Sequence, residues 1–209
     1  LQTDGTFDQE APLNRLIKRV KPGTVLHSID LTAATDRIPV EFLCQILSSI
    51  GVDSKLWRKL ICIPFFYEGS EINYAVGQPM GAYSSWAMLG SFNHVLIRIA
   101  ALRHEIQDFT DYCVLGDDVV IANDIVANEY RSLLTQLGIG VSDGKCIIST
   151  EIAEFAKRLT GPKVDFTPLG AGLILQAVRR PILGIGALKE MYRLNIITYL
   201  PDLSKVLVK

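Results

Sequence analysis

The stretch Tyr112-Cys113-Val114-Leu115-Gly116-Asp117-Asp118-Val119-Val120-Ile121-Ala122 decides the fold. Two apolar, strand-like runs flank a short polar turn, the pattern of a β-hairpin. Gly and Asp are ordinary turn residues. By itself Gly-Asp-Asp is a weak signal, arising by chance in about six chains of this composition in a hundred. The flanks add weight, because two carboxylates at the tip of so apolar a ribbon repel each other unless a cation compensates them. Hard divalent ions such as Mg2+ are held by one or two carboxylates together with substrate phosphates.

Upstream, residues 24–29 read as a second apolar strand that ends on Asp30, followed six residues later by Asp36. A carboxylate at a strand end reaches a site built on a neighbouring hairpin. Asp30 and Asp117 together suit two-metal phosphoryl transfer, with cations about 3.5–4 Å apart. Asp36 also reads as an N-cap or turn residue before Pro39, where a helix is expected to run to about Ile50 with Phe42, Leu43, Ile46 and Leu47 on one face. A helix is expected near residues 56–61, a short strand at 71–76 and a loop from Gly77 to Gly81. A long helix at 84–103 should bury Trp86, Leu89, Phe92, Leu96 and Ile99. Past the hairpin, a helix at 125–137 stops at Gly138, and strand-like 146–148 and 155–159 follow. Intermixed strands and helices around a central antiparallel hairpin predict an α+β fold with helices on one face of the sheet.

The 209 residues hold 21 Lys+Arg against 22 Asp+Glu and are 49% hydrophobic, which excludes a disordered chain and suits one large domain or part of a larger protein. The formal net charge of -1 supplies no global attraction to nucleic acid or anionic membrane. Cys44, Cys62, Cys113 and Cys146 show no C-x-x-C spacing and read as buried, reduced thiols rather than zinc ligands or disulfides. His27, His94 and His104 form no ligand spacing. The start of the chain lacks both a signal-peptide pattern and an initiator Met. The uncharged run 72–97 is interrupted by Gly77-Gln78-Pro79 and is too polar for a membrane span.

Five segments in order then resemble the palm of viral RNA-directed RNA polymerases, mitoviruses above all, with narnaviruses and RNA-phage replicases more distant. Asp30-Leu31-Thr32-Ala33-Ala34-Thr35-Asp36-Arg37-Ile38-Pro39 resembles the first palm motif. Gly77-Gln78-Pro79-Met80-Gly81-Ala82-Tyr83-Ser84-Ser85-Trp86 is similar to the second, and Leu115-Gly116-Asp117-Asp118 to the third. Val141-Ser142-Asp143-Gly144-Lys145 resembles the fourth, and Glu154-Phe155-Ala156-Lys157-Arg158 the fifth. Asp4-Gly5-Thr6-Phe7-Asp8-Gln9 and Asp165-Phe166-Thr167-Pro168-Leu169 are similar to mitoviral flanking segments.

The resemblance implies a polymerase palm with a Gly-Asp-Asp hairpin, part of the fingers and the start of the thumb. Residues 1–24 would lead in, 25–50 carry the first motif, 51–76 form a fingers insertion, 77–160 carry the remaining motifs, and 161–209 begin the thumb. Asp30 and Asp117, assisted by Asp118, would hold two Mg2+ ions (or Mn2+). Asp36 would sense the ribose 2′-hydroxyl. Ser84 and Ser85 would hydrogen-bond the nucleotide ribose or the template, a reading compatible with a Ser-capped helix start. Gly77, Gln78 and Gly81 would shape a loop against RNA. Lys145 is a candidate general acid for pyrophosphate, with a solvated loop lysine as the plainer reading. Lys157 and Arg158 would touch RNA backbone or form surface ion pairs. The implied partners are an RNA template, the nascent strand and nucleoside triphosphates, in the host mitochondrion. A non-catalytic remnant in a host genome and a reverse transcriptase are the alternatives. The basic segment that precedes the first motif in the family has no clear equivalent here, so a palm-centred piece of a longer polymerase is expected.

Overall fold

The computed structural model describes residues 2–199, so the last ten residues of the 161–209 segment lie outside the described residues. From the N-terminus the chain forms α1 (Ala11–Arg19), β1 (Leu26–Ile29), β2 (Leu31–Thr32), α2 (Ala34–Arg37), α3 (Val40–Ser49), α4 (Ser54–Ile61), β3 (Phe65–Tyr67), β4 (Ser70–Ile72) and α5 (Ser85–Leu102). It continues with β5 (Tyr112–Leu115), β6 (Asp118–Ile121), α6 (Asp124–Gln136), β7 (Gly140–Val141), β8 (Ile147–Ser149), β9 (Ala153–Phe155), β10 (Arg158–Thr160), α7 (Ala171–Arg179), a 3-10 turn and α8 (Gly184–Arg193).

The central sheet has the order β5-β6-β1-β8, and every neighbouring pair is antiparallel. Alternation along each strand divides its side chains between two cores. Ile29, Tyr112, Val114, Val119 and Ile121 face one core, where Met88, Phe92, Leu96 and Ile97 of α5 and Val126, Tyr130 and Leu134 of α6 cover them. Leu26, Cys113, Leu115 and Val120 face the other, against Leu13 and Leu16 of α1 and Ala153 and Phe155 of β9. Helices on a single face were expected; α1 and the β9–β10 hairpin cover the second face. The reason lies in the strands: β1 and β5 are buried at every position, and a sheet buried on both sides needs two covers.

The outer edge of β5 is paired as well. Val114 N–H donates to Thr3 O and Gly5 N–H to Val114 O, both at 2.9 Å, so residues 3–5 protect the edge. His94 pins this segment, its Nε2 lying 3.0 Å from Asp4 Oδ2 and its Nδ1 3.1 Å from Tyr112 Oη. Burial lowers the His94 pKa against the opposing pull of Asp4, so the neutral ring donates to the carboxylate and accepts from the phenol.

Several local expectations are corrected. The strand expected at 71–76 is the exposed β3–β4 hairpin, turning at Glu68-Gly69, where both residues have positive φ. The run 155–159 is broken at Ala156 and Lys157, with φ of 53° and 61°, the left-handed pair that a two-residue hairpin turn requires. Trp86 is not on the buried side of α5 but 45% exposed. Of the cysteines only Cys113 is fully buried, and Cys62 is exposed.

Candidate active site

Pairing register builds the site. β1 pairs with β6 as His27–Ile121, Ser28–Val120 and Ile29–Val119, so one residue further Asp30 stands beside Asp118. On its other side β1 pairs with β8 as Leu26–Ser149, His27–Ile148 and Ser28–Ile147, and continuing that register brings Asp30 level with Lys145. The Lys145 ammonium indeed lies 3.4 Å from Asp30 Oδ2. Ser142 N–H donates to Asp30 O at 2.9 Å and fixes the strand end. Asp30 and Asp118 therefore share one end of the sheet, on the face that also carries Ser28. Asp117 is exposed in the turn next to them.

A cleft of about 260 Å³ opens there, lined by Ser28, Asp30, Asp118, Lys145 and Glu154 among others. Burial, then the Asp117 charge, with smaller contributions from Asp30 and Glu154, pushes the Asp118 carboxyl up to about 6; a hydrogen bond from the Ala156 backbone opposes this. Glu154 is a fourth carboxylate that the spacing of acidic pairs does not reveal, because it enters from the β9–β10 hairpin. Its backbone N–H donates to Ser28 Oγ at 2.9 Å, which docks that hairpin on the sheet. Among the described residues no three His, Cys, Asp or Glu side chains form a preassembled metal-binding group.

Trp86, Gly90 and Asn93, at i, i+4 and i+7 on α5, meet the turn from behind. Gly116 has φ of +60°, and a Cβ added to it would collide with the Trp86 indole. Asn93 Nδ2 donates to Gly116 O at 2.7 Å, and Tyr130 Oη donates to Asn93 Oδ1 at 2.9 Å. Asn93 and Tyr130 are both 0% exposed. Neither stood out in the sequence; the available signal was an Asn inside the apolar stripe of α5, since a buried amide requires a partner.

The second acidic residue and the following loop form a neighbouring unit. Asp36 is exposed in α2, and neither α2 nor α3 has a side-chain cap; Pro39 holds the N-cap position of α3. Gly77 packs so tightly on the Thr35 and Asp36 carbonyls that any Cβ would overlap them, and Gln78 N–H donates to Thr35 O at 2.9 Å. Gly81, with φ of +85°, is exposed. Three side chains singled out for ligand contact are turned inward. Gln78 is fully buried and donates to Ser85 O at 3.2 Å, while its Oε1 has no partner. Ser85 Oγ donates to Pro79 O at 2.7 Å. Arg158 pairs with Glu10 and, at 3.1 Å, with Asp165. Ser84 does not cap α5, because its hydroxyl accepts from Trp57 Nε1 at 2.9 Å. Lys157 sits at the tip of the β9–β10 turn.

Among the described residues, no helix is long and apolar enough to cross a membrane. A family model described as Mitovirus RNA-dependent RNA polymerase matches residues 1–207. The RNA-directed RNA polymerase of Cryphonectria parasitica mitovirus 1 is 49% identical over 165 residues, which are 77% of this chain and 20% of that protein. An uncharacterised mitochondrial protein of Arabidopsis thaliana is 38% identical over 207 residues, covering 92% of this chain and 81% of the relative. Among solved structures, an insertion-loop deletion mutant of the RNA-dependent RNA polymerase of a human picorbirnavirus matches 84% of this chain and 41% of its own, with a TM-score of 0.63 and 15% identity, a likeness of fold alone. This chain thus spans about a fifth of the mitovirus polymerase. Matched along nearly its full length, the chain belongs to the mitovirus RNA-dependent RNA polymerase family.

Proposed function

We propose that the chain is the palm-centred part of an RNA-directed RNA polymerase that adds nucleoside triphosphates to an RNA 3′ end on an RNA template, with release of pyrophosphate. The observation that carries this reading is the meeting of Asp30, Asp118 and Lys145 at one sheet end, beside Asp117 in the adjoining turn. Asp30, Asp117 and Asp118 would hold two Mg2+ ions, with Mn2+ as the alternative. The donor set fits, because hard cations prefer carboxylate oxygen; the Asp117, Asp30 and Glu154 charges, which add to burial in raising the Asp118 pKa, are the repulsion a bound cation would relieve. Bound there, the ions would make the primer 3′-hydroxyl more acidic and neutralise the triphosphate.

The remaining assignments concern this chain's own groups. Lys145, now paired with Asp30, would donate a proton to the pyrophosphate leaving group. Asp36, exposed and backed by Gly77, would accept from the ribose 2′-hydroxyl. Gly77, Gln78 and Gly81 would shape the RNA-facing loop, and the inward Ser85 would brace it; Ser84 remains the partly exposed hydroxyl of that segment. Lys157 would contact RNA backbone, with Arg158 fixing the hairpin beneath it. Residues 25–50 and 77–160 would form the palm, 51–76 a fingers insertion and 161–209 the start of the thumb. The kinship with a mitovirus and with an Arabidopsis mitochondrial protein supports action in the host mitochondrion.

RNA-templated incorporation by the chain extended upstream tests the reading, with Asp117→Asn as the comparison. Equal incorporation by the two forms would sink it. The Arabidopsis match favours a second reading, a host-encoded remnant without catalysis. A folded wild-type protein that binds RNA yet incorporates nothing in Mg2+ would support the remnant.

A further inference from the structure

We infer that Asn93 and Tyr130 are positioning residues that hold the Gly116–Asp117 peptide in the one orientation that aims the Asp117 carboxylate at its cation. The inference rests on the metal reading of Asp117 proposed above. The Gly116 carbonyl belongs to the peptide unit that carries the Asp117 nitrogen, and a planar peptide transmits the orientation of one to the other. That carbonyl accepts from Asn93 Nδ2 at 2.7 Å, and the Asn93 amide is itself oriented by the Tyr130 hydroxyl at 2.9 Å.

The chain of bonds admits one arrangement only. The Gly116 carbonyl can only accept, so the Asn93 amide nitrogen must face the turn and its oxygen must face α6, where it accepts from Tyr130 Oη. Both side chains are 0% exposed, so water cannot replace either bond. Turning the Gly116 carbonyl away would strand the Asn93 N–H in the core. From the remaining side, the Trp86 indole lies so close to Gly116 that no side chain fits between them. Gly116 itself sits at φ of +60°, which a glycine adopts about as readily as negative values, so its own backbone preference does not fix the turn. Trp86, Gly90, Asn93 and Tyr130 thus form a backstop, and the exposed Asp117 receives its direction through the Gly116 peptide.

Tb3+ titration tests this without requiring catalysis, because Trp86 beside the turn can sensitise lanthanide luminescence. The proteins to compare are wild type, Asp117→Asn, Tyr130→Phe, Asn93→Leu and Leu134→Ala, the last a core truncation on α6 that is not a member of the backstop. The expected result is weaker Tb3+ binding by about tenfold in Tyr130→Phe and Asn93→Leu, the scale on which partners behind a metal ligand act. Leu134→Ala should lower the melting temperature while keeping wild-type affinity. Equal titrations of wild type and Asp117→Asn would overturn the metal reading and this inference with it. Loss in Asp117→Asn alongside wild-type affinity in Tyr130→Phe would overturn the inference alone. An equal loss in Leu134→Ala would also overturn it, by showing general loosening. Should Asn93→Leu fail to fold, Tyr130→Phe, which removes a single hydroxyl, still decides the matter.

Discussion

Two glycines show how far a single position governs this site. Gly116 combines positive φ with a Trp86 ring where a Cβ would go. Gly116→Ala should destabilise by about 2 kcal/mol or more, seen as a fall of roughly 4–8 °C in the melting temperature. Gly77 is limited by space alone, since a Cβ would overlap the Thr35 and Asp36 carbonyls. Gly77→Ala should push the Asp36 segment away; if Asp36 senses the ribose as proposed, incorporation should discriminate less between ribo- and deoxyribonucleotides before it loses rate. Asp118 adds a pH signature. Burial first, and then the Asp117 charge, raises its folded pKa to about 6, so the native state binds a proton more readily than the unfolded one, and the cost of the charged form is fully present only above that pH. In the absence of divalent cations, stability should therefore rise as pH falls from about 7 to 5, and calorimetry across that interval checks it.

At the scale of elements, the β9–β10 hairpin is the strained piece, because neither Ala156 nor Lys157 is a residue that favours positive φ. Lys157→Gly should raise the melting temperature by roughly 1–3 °C. If Lys157 also grips RNA backbone, the same substitution should flatten the salt dependence of RNA binding, which filter binding at several salt concentrations would read. The β5–β6 hairpin was legible in the sequence because apolar runs on both sides of Gly-Asp-Asp leave a turn as the natural way to join them. The β9–β10 turn was not legible, because Ala and Lys carry no turn signal and tertiary contacts, among them those to Ser28 and Asp118, hold them there. The β3–β4 hairpin was misplaced by several residues although Gly69 marks its turn. The two-sided cover of the sheet was foreshadowed by the unbroken apolarity of Cys113-Val114-Leu115, a pattern of double burial rather than alternation. Asn93 and Tyr130 escaped notice because their meaning lies in partners 23 and 37 residues away.

Across the whole molecule, an ionic network fastens the two ends of the described chain to the β9–β10 hairpin. Arg158 pairs with Glu10 and Asp165, and Arg193 with Glu190 and, at 3.5 Å, with Asp165. Burial tends to raise the Asp165 pKa, but hydrogen bonds from Thr167 and the Arg158 charge outweigh it and leave the group lowered; the Arg193 hydrogen bond lowers Glu190. Depressed carboxylates stabilise above their unfolded pKa and lose that contribution as pH falls through the folded value. The network should therefore open only as pH falls below the usual carboxylate range, and proteolysis near Asp165 in that acid range should precede loss of the central sheet. The near-neutral charge of the chain is the sum of such paired groups and a carboxylate cluster, so it says little about whether the protein meets RNA. What decides that question is Mg2+-dependent incorporation of a labelled ribonucleotide on an RNA template by the upstream-extended chain. Wild type should incorporate, and Asp30→Asn and Asp117→Asn should each fall to background while keeping the wild-type melting profile. Incorporation that survives either substitution, or that proceeds undiminished in EDTA, would contradict the carboxylate site.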